Sequence, residues 1–595
     1  MASIAQTVSR IGTLVLRTLR SLGTRSATQH TLAHITALAA EQWRQKGPVK
    51  LPDDGILISF VTPTYNTPSE YLDNLLSSFQ QQLRTGVSCE LILSDDGSTH
   101  EETRTWLKDV VGRNNISVVW NSSNRGIAAA TNAGIAAASG KWVAFLDHDD
   151  RLTEFAADRI ARALVENPEC ELLYTDEVIT DASLKAIDIF FKPAWDPVLL
   201  SGVNYINHLS VYRRERVEKM GGVREGFEGS QDYDLLLRFT QDLSAHQVKH
   251  LPYPAYQWRR TGQTFSATQM APAIDSARRA LSERFSSTSG NVPVANAKTP
   301  DLHRVRFDQT KQNWPVVSVI IPTKDRYDLI SQVLSGLQKT DYPHLDVICV
   351  DNGTTDEKVL QLYRSREESG ELRALRTQET FNFSRSINLG LAAARGEFIL
   401  LLNNDIEVVE PDWLKEMVSC FSYSQVGIVG AKLLYPDSSI QHAGVMVGFG
   451  DLAGHWYIGE KLDFPGPQGR LRVRNSFSAV TGACLLMSRK CLEAVGNLNE
   501  YDFAIAYNDV DFCLRARKLG FSVIWTPFAT LLHHESASRG SDETPENRER
   551  FDFEKQNLKK RHSTQTYLDP ASSPWLSRDR SYPVTLHLTA LPGAR

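Results

Sequence analysis

A cluster of acidic residues follows an uninterrupted apolar run near residue 145. Residues 142–146 are apolar and lead directly into Asp147, Asp149 and Asp150. Such a run is typical of a strand buried on both faces of a sheet, and ligands of open α/β sheets bind beyond the carboxyl ends of the strands. Carboxylates in that place, together with phosphate oxygens, suit Mg²⁺ or Mn²⁺. The alternative is a plain polar loop.

The same arrangement occurs a second time. Residues 398–402 form another apolar run, which ends in Asn403, Asn404 and Asp405. Matching residues lie 256 positions apart in the two halves, namely Asp95 and Asp351, Asn132 and Asn388, Gly134 and Gly390, Gly140 and Gly396, and Asp149 and Asp405. A constant offset over this length predicts two copies of one domain, each too large to be a solenoid unit.

Each copy alternates strand patterns with helical patterns. In the first, the apolar run at residues 56–61 is followed by a helical pattern and then by a second run at 90–94. This alternation predicts an α/β fold, with a mostly parallel sheet between layers of helices. The predicted segments are a basic N-terminal segment (1–50), a first domain (51–266), a linker (267–315), a second domain (316–548) and a C-terminal tail (549–595).

The composition excludes several classes of protein. The 595 residues are 42% hydrophobic and 23% charged, with a formal net charge of −5, so nothing indicates a nucleic-acid partner. The seven cysteines are odd in number and form no C-x-x-C pair, which favours reduced thiols of a cytoplasmic protein over disulfides or a zinc site. No apolar run approaches the ~20 residues that span a bilayer, and the arginine-studded start is not a secretory signal.

The first 25 residues have the pattern of a basic amphipathic helix. Its apolar residues fall on one narrow arc at 100° per residue: Ile4, Val8, Ile11, Val15, Leu19 and Leu22. Arg10, Arg17 and Arg20 fall roughly opposite. Such a helix can lie in an anionic membrane surface. The pattern of residues 1–25 therefore predicts a peripheral membrane contact. The alternatives are a helix packed on the first domain and a mitochondrial transit peptide, which has a similar composition.

Two further pairs of aspartates occupy matching places. Asp95 and Asp351 each end an early strand and precede a glycine turn. Either carboxylate can accept a hydrogen bond from a nucleobase or ribose. The alternative is that it only closes the turn. Asp232 and Asp509 each open an amphipathic helix. An acidic side chain at the start of a helix often caps the helix or interacts favourably with the helix dipole. If the side chain faces a cleft, it can also act as the general base that deprotonates a hydroxyl.

Two adjacent histidines follow the last apolar run of the second copy. His533 and His534 come directly after Leu531 and Leu532. Neighbouring side chains of a strand point to opposite faces. We therefore expect at most one of these histidines to share a metal ion with the Asp405 carboxylate.

Both halves resemble family 2 glycosyltransferases of the GT-A fold, which transfer sugars from nucleotide-sugars with inversion. The resemblance covers residues 55–265 and 316–540. In the first half it rests on Pro63–Asn66, Asp95–Ser98, Asn124–Gly126, Leu146–Asp150 and Asp232. In the second half it rests on Ile321–Lys324, Val350–Gly353, Asn382–Ser384, Asn403–Asp405, Thr481–Ala483, Asn508–Asp511 and His533.

The resemblance implies a role for each motif. Asp232 and Asp509 would be the catalytic bases that deprotonate the acceptor hydroxyl. The ligands of a Mn²⁺ or Mg²⁺ ion would be Asp149, Asp405 and His533. The residues that contact the nucleotide-sugar would be Pro63, Tyr65, Asp95, Asn124, Arg125 and Asp147 in the first half, and Pro322, Asp351, Asn382 and Asn403 in the second. Two positions depart from the family pattern: Gln257 stands where a histidine is frequent, and Asn403 stands where the metal motif begins with aspartate.

The second half, especially residues 533–540, is similar to bacterial rhamnosyltransferase-like enzymes of surface-polysaccharide assembly. That similarity implies an O-antigen-like product, a lipid-linked oligosaccharide acceptor, and dTDP-rhamnose or a UDP-hexose as donor. The protein would then lie peripherally on the inner face of the cytoplasmic membrane. Two active sites would add two linkages. The alternatives are one catalytic domain beside an acceptor-binding domain, and a nucleotidyltransferase, although residues 62–66 lack the Gly-rich phosphate loop of that class.

Overall fold

The structure is a computed structural model of the chain. It describes residues 25–49, 55–113, 115–260, 270–286, 290–310, 313–534, 545–578 and 584–594. Residues 1–24, on which most of the amphipathic pattern falls, lie outside the described residues. The described chain begins with helix α1 (25–46). Its buried residues Ile35 and Ala39 pack into the core of the first domain.

The first domain is built on a nine-stranded sheet. Its strands are β1 (Ile58–Thr64), β2 (Cys89–Asp95), β3 (Ile116–Trp120), β4 (Trp142–Phe145), β5 (Arg151–Leu152), β6 (Leu172–Thr180), β7 (Ala186–Phe190), β8 (Ser210–Arg213) and β9 (Val248–Arg259). They are ordered β3-β2-β1-β4-β8-β6-β9-β5, with β7 paired to β6. The first four strands in that order run parallel.

The second domain repeats this plan in a ten-stranded sheet. Its strands are β12 (Val317–Thr323), β13 (Leu345–Asn352), β14 (Arg373–Thr377), β15 (Phe398–Leu402), β16 (Ile406–Val408), β17 (Val426–Leu434), β18 (Ile440–His442), β21 (Asn475–Ser476), β22 (Cys484–Ser488) and β23 (Ser522–His533). The order β14-β13-β12-β15-β22-β17-β23-β16 matches that of the first sheet strand for strand. Two small hairpins are separate, β10 (Val294–Asn296) with β11 (His303–Val305), and β19 (Val445–Val447) with β20 (Ala453–His455).

Helices cover both sheets. In the first domain they are α2 (Ser69–Leu83), α3 (Glu101–Val110), α4 (Ile127–Ala137), α5 (Ala156–Glu166), α6 (Pro197–Leu200), α7 (Arg214–Lys219), α8 (Gln231–Phe239) and α9 (Met270–Phe285). The later ones are α10 (Phe307–Thr310), α11 (Tyr327–Lys339), α12 (Glu357–Glu368), α13 (Phe383–Ala393), α14 (Trp413–Ser419), α15 (Arg489–Val495), α16 (Asn508–Lys518) and α17 (Pro545–His562). The predicted α/β fold with two tandem domains is thereby confirmed. Within the described residues, no helix combines the length and hydropathy needed to cross a bilayer.

Matching glycines let a helix approach the central strand of each sheet. A Cβ atom on Gly134 of α4 would lie 2.5 Å from Val61 Cγ1, and one on Gly390 of α13 would lie 2.4 Å from Ile320 Cγ2. A larger residue at either position would force the side chain of Val61 or Ile320 to shift in a closely packed interior. The two glycines that are 256 positions apart in the sequence thus perform the same packing task.

Helices α9 and α17 occupy matching places after the last long strand of each domain. On α9, the Ala273 carbonyl accepts from Ser230 Oγ at 2.8 Å. On α17, His562 Nε2 lies 2.8 Å from Asp511 Oδ1 in α16. The first helix falls in the segment predicted as a linker, and the second spans the predicted boundary at residue 548. Both helices pack on the domain that they follow.

The C-terminal tail then crosses from the second domain to the first. The Asp569 carboxylate accepts from the Val447 amide at 2.8 Å in the second domain. Trp575 is fully buried, and its indole N–H donates to the Pro252 carbonyl at 2.8 Å in the first domain. Farther along, the tail reaches α1. The tail therefore joins both domains and the N-terminal helix.

A buried charge cluster joins hairpin β10–β11 to the second domain. Glu416 is 1% exposed and accepts from Arg474 Nε at 2.6 Å, Arg304 Nη2 at 2.9 Å and Thr526 Oγ1 at 2.7 Å. Arg474 also donates to the Val305 carbonyl at 2.7 Å. Burial alone would raise the pKa of Glu416, but the two guanidinium groups outweigh burial and lower that pKa to about 2.

We expect Glu416→Gln to lower the free energy of unfolding by about 3 kcal/mol near pH 7, because Arg474 is left buried without a counter-charge. The pKa of Glu416 is lower in the folded state, so its stabilising contribution is complete above pH 4.5 and is lost as the pH falls towards 2. Urea unfolding of both proteins between pH 7 and 3 should therefore show the difference shrinking below pH 4.5. A difference that is constant with pH would contradict this assignment.

Candidate active site

The ends of the central strands of the second domain open into a cleft of about 800 Å³. This is the sheet edge at which the sequence predicts ligand binding. Five of the residues predicted from the sequence line it together: Pro322, Asn403, Asp405, Asp509 and His533. The structure thus brings the predicted metal ligands and the predicted base of this domain to one place.

Asp405 and His533 converge in this cleft. Strand β16 pairs with β23 so that Ile406 lies opposite His533. This register brings the His533 ring beside Asp405, the residue before Ile406. His533 Nε2 lies 3.1 Å from Asp405 Oδ1, with both side chains buried. The contact does not have hydrogen-bond geometry, and Oδ1 accepts no hydrogen bond from the described part of the chain, which is rare for a buried polar atom. An imidazole nitrogen and an orphaned carboxylate oxygen at this separation fit two ligands of one Mn²⁺ or Mg²⁺ ion.

This pair would provide only part of a coordination shell. The described residues contain no group of three or more His, Cys, Asp or Glu side chains arranged to hold a metal ion. Mg²⁺ and Mn²⁺ in nucleotide sites are commonly held by one or two protein ligands together with phosphate oxygens and water. The remaining ligands would therefore come from a bound diphosphate and solvent.

Asp509 lies in the first turn of α16 and is fixed by backbone amides. Its Oδ2 accepts from the Gly482 amide at 2.7 Å, and its Oδ1 accepts from the Val510 amide at 2.8 Å. The carbonyl of Ala483, the residue after Gly482, accepts from the Asn403 amide at 3.0 Å. The segment that holds Asp509 is thus bonded to the segment that carries Asp405. A half-buried carboxylate fixed in a cleft in this way is placed to accept a proton.

Two other predicted residues of the second domain have local roles. Asp351 is 2% exposed, and its carboxylate accepts from the amide and hydroxyl of Thr354. Asn382 caps α13, since its side-chain oxygen accepts from the Arg385 amide at 2.9 Å, and it donates to the Glu500 carbonyl at 2.9 Å. Both side chains thus have partners within the chain, and their contact with a nucleotide-sugar stays a prediction.

The first domain repeats these local interactions. The Asp95 carboxylate accepts from the Ser98 amide at 3.0 Å. The neighbouring Asp96 accepts from the amides of Arg125 at 3.0 Å and Gly126 at 2.8 Å. The Asn124 side chain also accepts from the Gly126 amide, at 3.1 Å. The predicted nucleotide-binding residues Asp95 and Asn124 therefore each stabilise their own loop, after β2 and β3 respectively, and Asp96 holds the two loops together.

Three other predicted residues of the first domain lie nearer the surface. Tyr65 is 43% exposed just beyond β1, where the Pro63 carbonyl lies 3.3 Å from His148 Nδ1. The Arg125 side chain forms an exposed ion pair with Glu225 at 3.1 Å. Exposed pairs of this kind contribute little to stability, so Arg125 can exchange this partner for a ligand.

The acid cluster of the first domain is engaged by its own chain. Asp150 is 1% exposed and accepts from the Tyr256 hydroxyl at 2.6 Å and the Arg259 amide at 2.7 Å. Burial, and then Asp149 and Asp147, raise the pKa of Asp150. Arg259 Nε also donates to the Asp149 carbonyl at 2.9 Å. The side chain of Arg259, which is 2% exposed, thus brings a permanent positive charge to this cluster.

A second cation, His208, approaches the same cluster. His208 Nε2 lies 3.5 Å from Asp147 Oδ2, and the ring stacks on Tyr256 with centroids 4.8 Å apart. Burial opposes protonation of the imidazole, but Glu177 and Asp147 outweigh it and raise the pKa of His208 to about 9. The ring is therefore charged at neutral pH, beside the position predicted to hold a metal ion.

The first domain has no counterpart of His533. Arg151 of β5 pairs with Gln257 of β9, and this register places the next residue, Trp258, opposite Asp150. In the second domain His533 lies opposite Ile406, which is the residue equivalent to Asp150. Trp258 therefore occupies the position of His533. The resemblance to the family predicts that Gln257 occupies the position of the frequent histidine. The structure places Trp258, the next residue, there. Neither Gln257 nor Trp258 is a histidine. Asp149 therefore has no imidazole in the position that His533 occupies beside Asp405.

Asp232 nevertheless has the same placement as Asp509. It lies in the first turn of α8, and its carboxylate accepts from the Asn207 side-chain amide, where the second domain uses the Gly482 backbone. Burial raises the pKa of Asp232, although His208 opposes the shift. The first domain therefore keeps a carboxylate in the position of the base but surrounds it differently.

Several residues of the second-domain cleft were not found from the sequence. His455 lines the cleft and its Nδ1 lies 3.2 Å from Nδ1 of the buried His442. It belongs to the β19–β20 hairpin, which has no equivalent between β7 and β8 of the first domain. Phe551 reaches the cleft from α17. The unequal lengths of chain between matching strands were the available signal for the hairpin.

Known proteins are similar to this chain over most of its length. A protein of unknown function from Sinorhizobium fredii, y4gI, is 39% identical over 90% of this chain and 59% of its own length. The O-antigen biosynthesis protein RfbC of Myxococcus xanthus is 38% identical over 82% of this chain and 38% of its own length. The chain thus spans less than two thirds of these relatives. A mannosyltransferase from Pyrobaculum calidifontis, solved with GDP-Man and Mn²⁺, superposes at a TM-score of 0.29 with 20% identity, over 38% of this chain and 59% of that one.

The family assignment rests on both halves of the chain. The profile described as glycosyl transferase family 2 matches residues 59–221 and, separately, residues 318–496. These segments contain β1 to β8 and β12 to β22, which are the strands that carry both acid clusters. The chain is therefore a member of glycosyltransferase family 2 with two tandem GT-A domains.

Proposed function

We propose that the chain transfers sugars from nucleotide-sugar donors to a growing, lipid-linked bacterial surface polysaccharide, with inversion at the anomeric carbon. The observation that carries the proposal is the shared cleft of Asp405, His533 and Asp509. The Myxococcus relative, called an O-antigen biosynthesis protein, supports the class of product. By resemblance, the donor is dTDP-rhamnose or a UDP-hexose.

The chemistry requires one displacement and no covalent intermediate. The acceptor hydroxyl oxygen forms a bond to the anomeric carbon, the bond from that carbon to the diphosphate breaks, and the electron pair leaves with the nucleoside diphosphate. Asp509 takes the hydroxyl proton, with its carboxylate held in place by the Gly482 amide. A Mn²⁺ or Mg²⁺ ion at Asp405 and His533 would offset negative charge on the departing diphosphate.

For the first domain, the structure favours the acceptor-binding alternative over a second active site. Trp258 stands in the place of His533, the Asp147 carboxylate faces the His208 imidazole, and the Arg259 guanidinium donates to the Asp149 carbonyl. A diphosphate would meet an acid cluster without the imidazole ligand that a metal ion uses in the second domain. Carboxylates accept hydrogen bonds from hydroxyl groups such as those of a sugar, and aromatic rings offer apolar area to a sugar ring face.

The proposal also places the protein peripherally on the inner face of the cytoplasmic membrane. A lipid-linked acceptor would be presented there, and the basic pattern of residues 1–25 suits an anionic surface. Residues 1–24 lie outside the described part of the chain, so support for the placement comes from the sequence pattern alone.

The decisive experiment is a donor screen. The purified chain is incubated with dTDP-rhamnose, UDP-hexoses or GDP-mannose, a synthetic lipid-linked acceptor and Mn²⁺ or Mg²⁺, and both nucleoside diphosphate release and the product linkage are measured. We expect one donor to give metal-dependent release and a product of inverted anomeric configuration. Release from no donor, or a product of retained configuration, would overturn the proposal.

A further inference from the structure

An aromatic pair borders the second-domain cleft beside the proposed base. Tyr507 and Phe551 both line the cleft. Their ring planes are parallel within 1°, with centroids 5.9 Å apart, so the two rings stand side by side in an offset arrangement, and Lys555 Nζ lies 4.0 Å from the Phe551 centroid. Tyr507 directly precedes α16 and lies two residues before Asp509. The pair is thus next to the group that would deprotonate an acceptor hydroxyl.

The backbone of Tyr507 adopts a conformation that side-chain-bearing residues seldom use. Its φ of 59° and ψ of 8° lie in the left-handed region, where residues other than glycine are uncommon. Such conformations persist when the surroundings impose them, and they concentrate at functional sites. Phe155 and Tyr457 adopt a similar φ elsewhere in the chain, so the role of the Tyr507 ring is inferred from its place in the cleft.

Helix α17 imposes this geometry. Glu554 is 1% exposed and accepts from the amides of Ile505 at 2.8 Å and Ala506 at 3.2 Å. Arg550 Nη1 donates to the same carboxylate at 2.6 Å. The helix that carries Phe551 therefore also holds the two residues immediately before Tyr507. Both rings are positioned by one element, and Glu554 acts as a positioning residue for the pair.

The fold itself does not require these aromatic residues. In the first domain, the residue at the equivalent position before α8 is Ser230, with an ordinary φ of −144°. Its partner helix α9 offers the Ala273 carbonyl to the Ser230 hydroxyl. The same helix–helix contact is thus made without aromatic rings, so the pair is a property of the second-domain site rather than of the architecture.

We propose that Tyr507 and Phe551 form the platform on which the terminal pyranose ring of the acceptor glycan lies, with its attacking hydroxyl directed to Asp509. This inference deepens the proposed function and rests on it. An aromatic pair of this kind takes up the apolar face of a sugar ring, and its position next to Asp509 selects the acceptor sugar rather than the nucleotide. The platform sets the preference for the acceptor terminus.

The test separates acceptor binding from donor chemistry. Phe551→Ala and Tyr507→Gly are compared with the wild type for the KM of a synthetic pyranose-terminated acceptor, the KM of the donor, and slow donor hydrolysis without acceptor. Glycine at 507 keeps the left-handed backbone accessible. The control is Phe553→Ala, since Phe553 lies on the same helix with its ring 54% exposed and is not a cleft residue.

We expect both variants to raise the acceptor KM about tenfold, the order that loss of one apolar contact face produces, while donor KM and donor hydrolysis stay within about twofold. An unchanged acceptor KM in both variants would overturn the inference, and so would an equal rise in donor KM, which would assign the rings to the nucleobase. Absence of acceptor-dependent transfer from every donor in the wild type would instead count against the proposed function.

Discussion

Asp509→Asn is expected to lower sugar transfer by about 10²–10⁴-fold, the range that a positioned general base contributes, while donor affinity changes little. The single amide oxygen of asparagine can still accept from the Gly482 amide, which approaches Oδ2 at 2.7 Å, but the NH2 group then faces the Val510 amide, which loses its acceptor. The variant therefore loses the capacity to take a proton together with one local backbone hydrogen bond. The measurement is the rate of product formation, with donor binding determined separately by calorimetry.

The matched control is Asp232→Asn, the equivalent change in the first domain. If the first domain only binds acceptor, this variant should keep product formation at the second-domain site within a few-fold, although acceptor KM can rise. If each variant removes a different linkage, both domains are catalytic and the tethering of two sites raises the effective concentration of the intermediate. Full activity in Asp509→Asn would contradict the assignment of the base in the second domain.

The sequence was sufficient to predict the features that repeat. Buried strands are long apolar runs, and the carboxyl ends of parallel strands meet at one sheet edge, so the positions of Asp405 and Asp509 followed from order and spacing. The offset of 256 positions also located Gly134 and Gly390, where a Cβ would force the side chains of Val61 and Ile320 to shift. These features depend on local pattern and on topology, both of which are encoded in short stretches.

Other features depend on register and on distant chain, and the sequence did not reveal them. Trp258 rather than Gln257 faces the first acid cluster because of the β5–β9 pairing, and a shift of one residue in a strand reverses its faces. Asn382 caps a helix and Asp351 closes a turn; the turn is an alternative that the sequence offers for Asp351, and contact of either residue with a nucleotide-sugar stays a prediction. Glu554 and Phe551 come from a segment whose charged composition resembles a tail.

His533→Ala is expected to weaken binding of Mn²⁺ by about 100-fold or more in the presence of nucleoside diphosphate, and to reduce transfer in parallel. The physical reason is that the ring supplies one of only two protein ligands in the described cleft, beside the Asp405 oxygen that has no hydrogen-bond donor. Loss of a ligand is at least as severe as loss of an outer partner, which costs about 10–100-fold.

The adjacent His534 provides a stringent control for this change. Its Nε2 lies 2.9 Å from Glu407, and it points to the other face of the strand, so His534→Ala should bind Mn²⁺ as the wild type does. Titration calorimetry should also give one ion per chain, because Trp258 replaces the second imidazole. A second ion that persists in His533→Ala would assign a metal to Asp149 and restore the first domain as an active site. With one ion per chain, lost in His533→Ala alone, transfer is confined to the second cleft and the first domain is left to hold the acceptor.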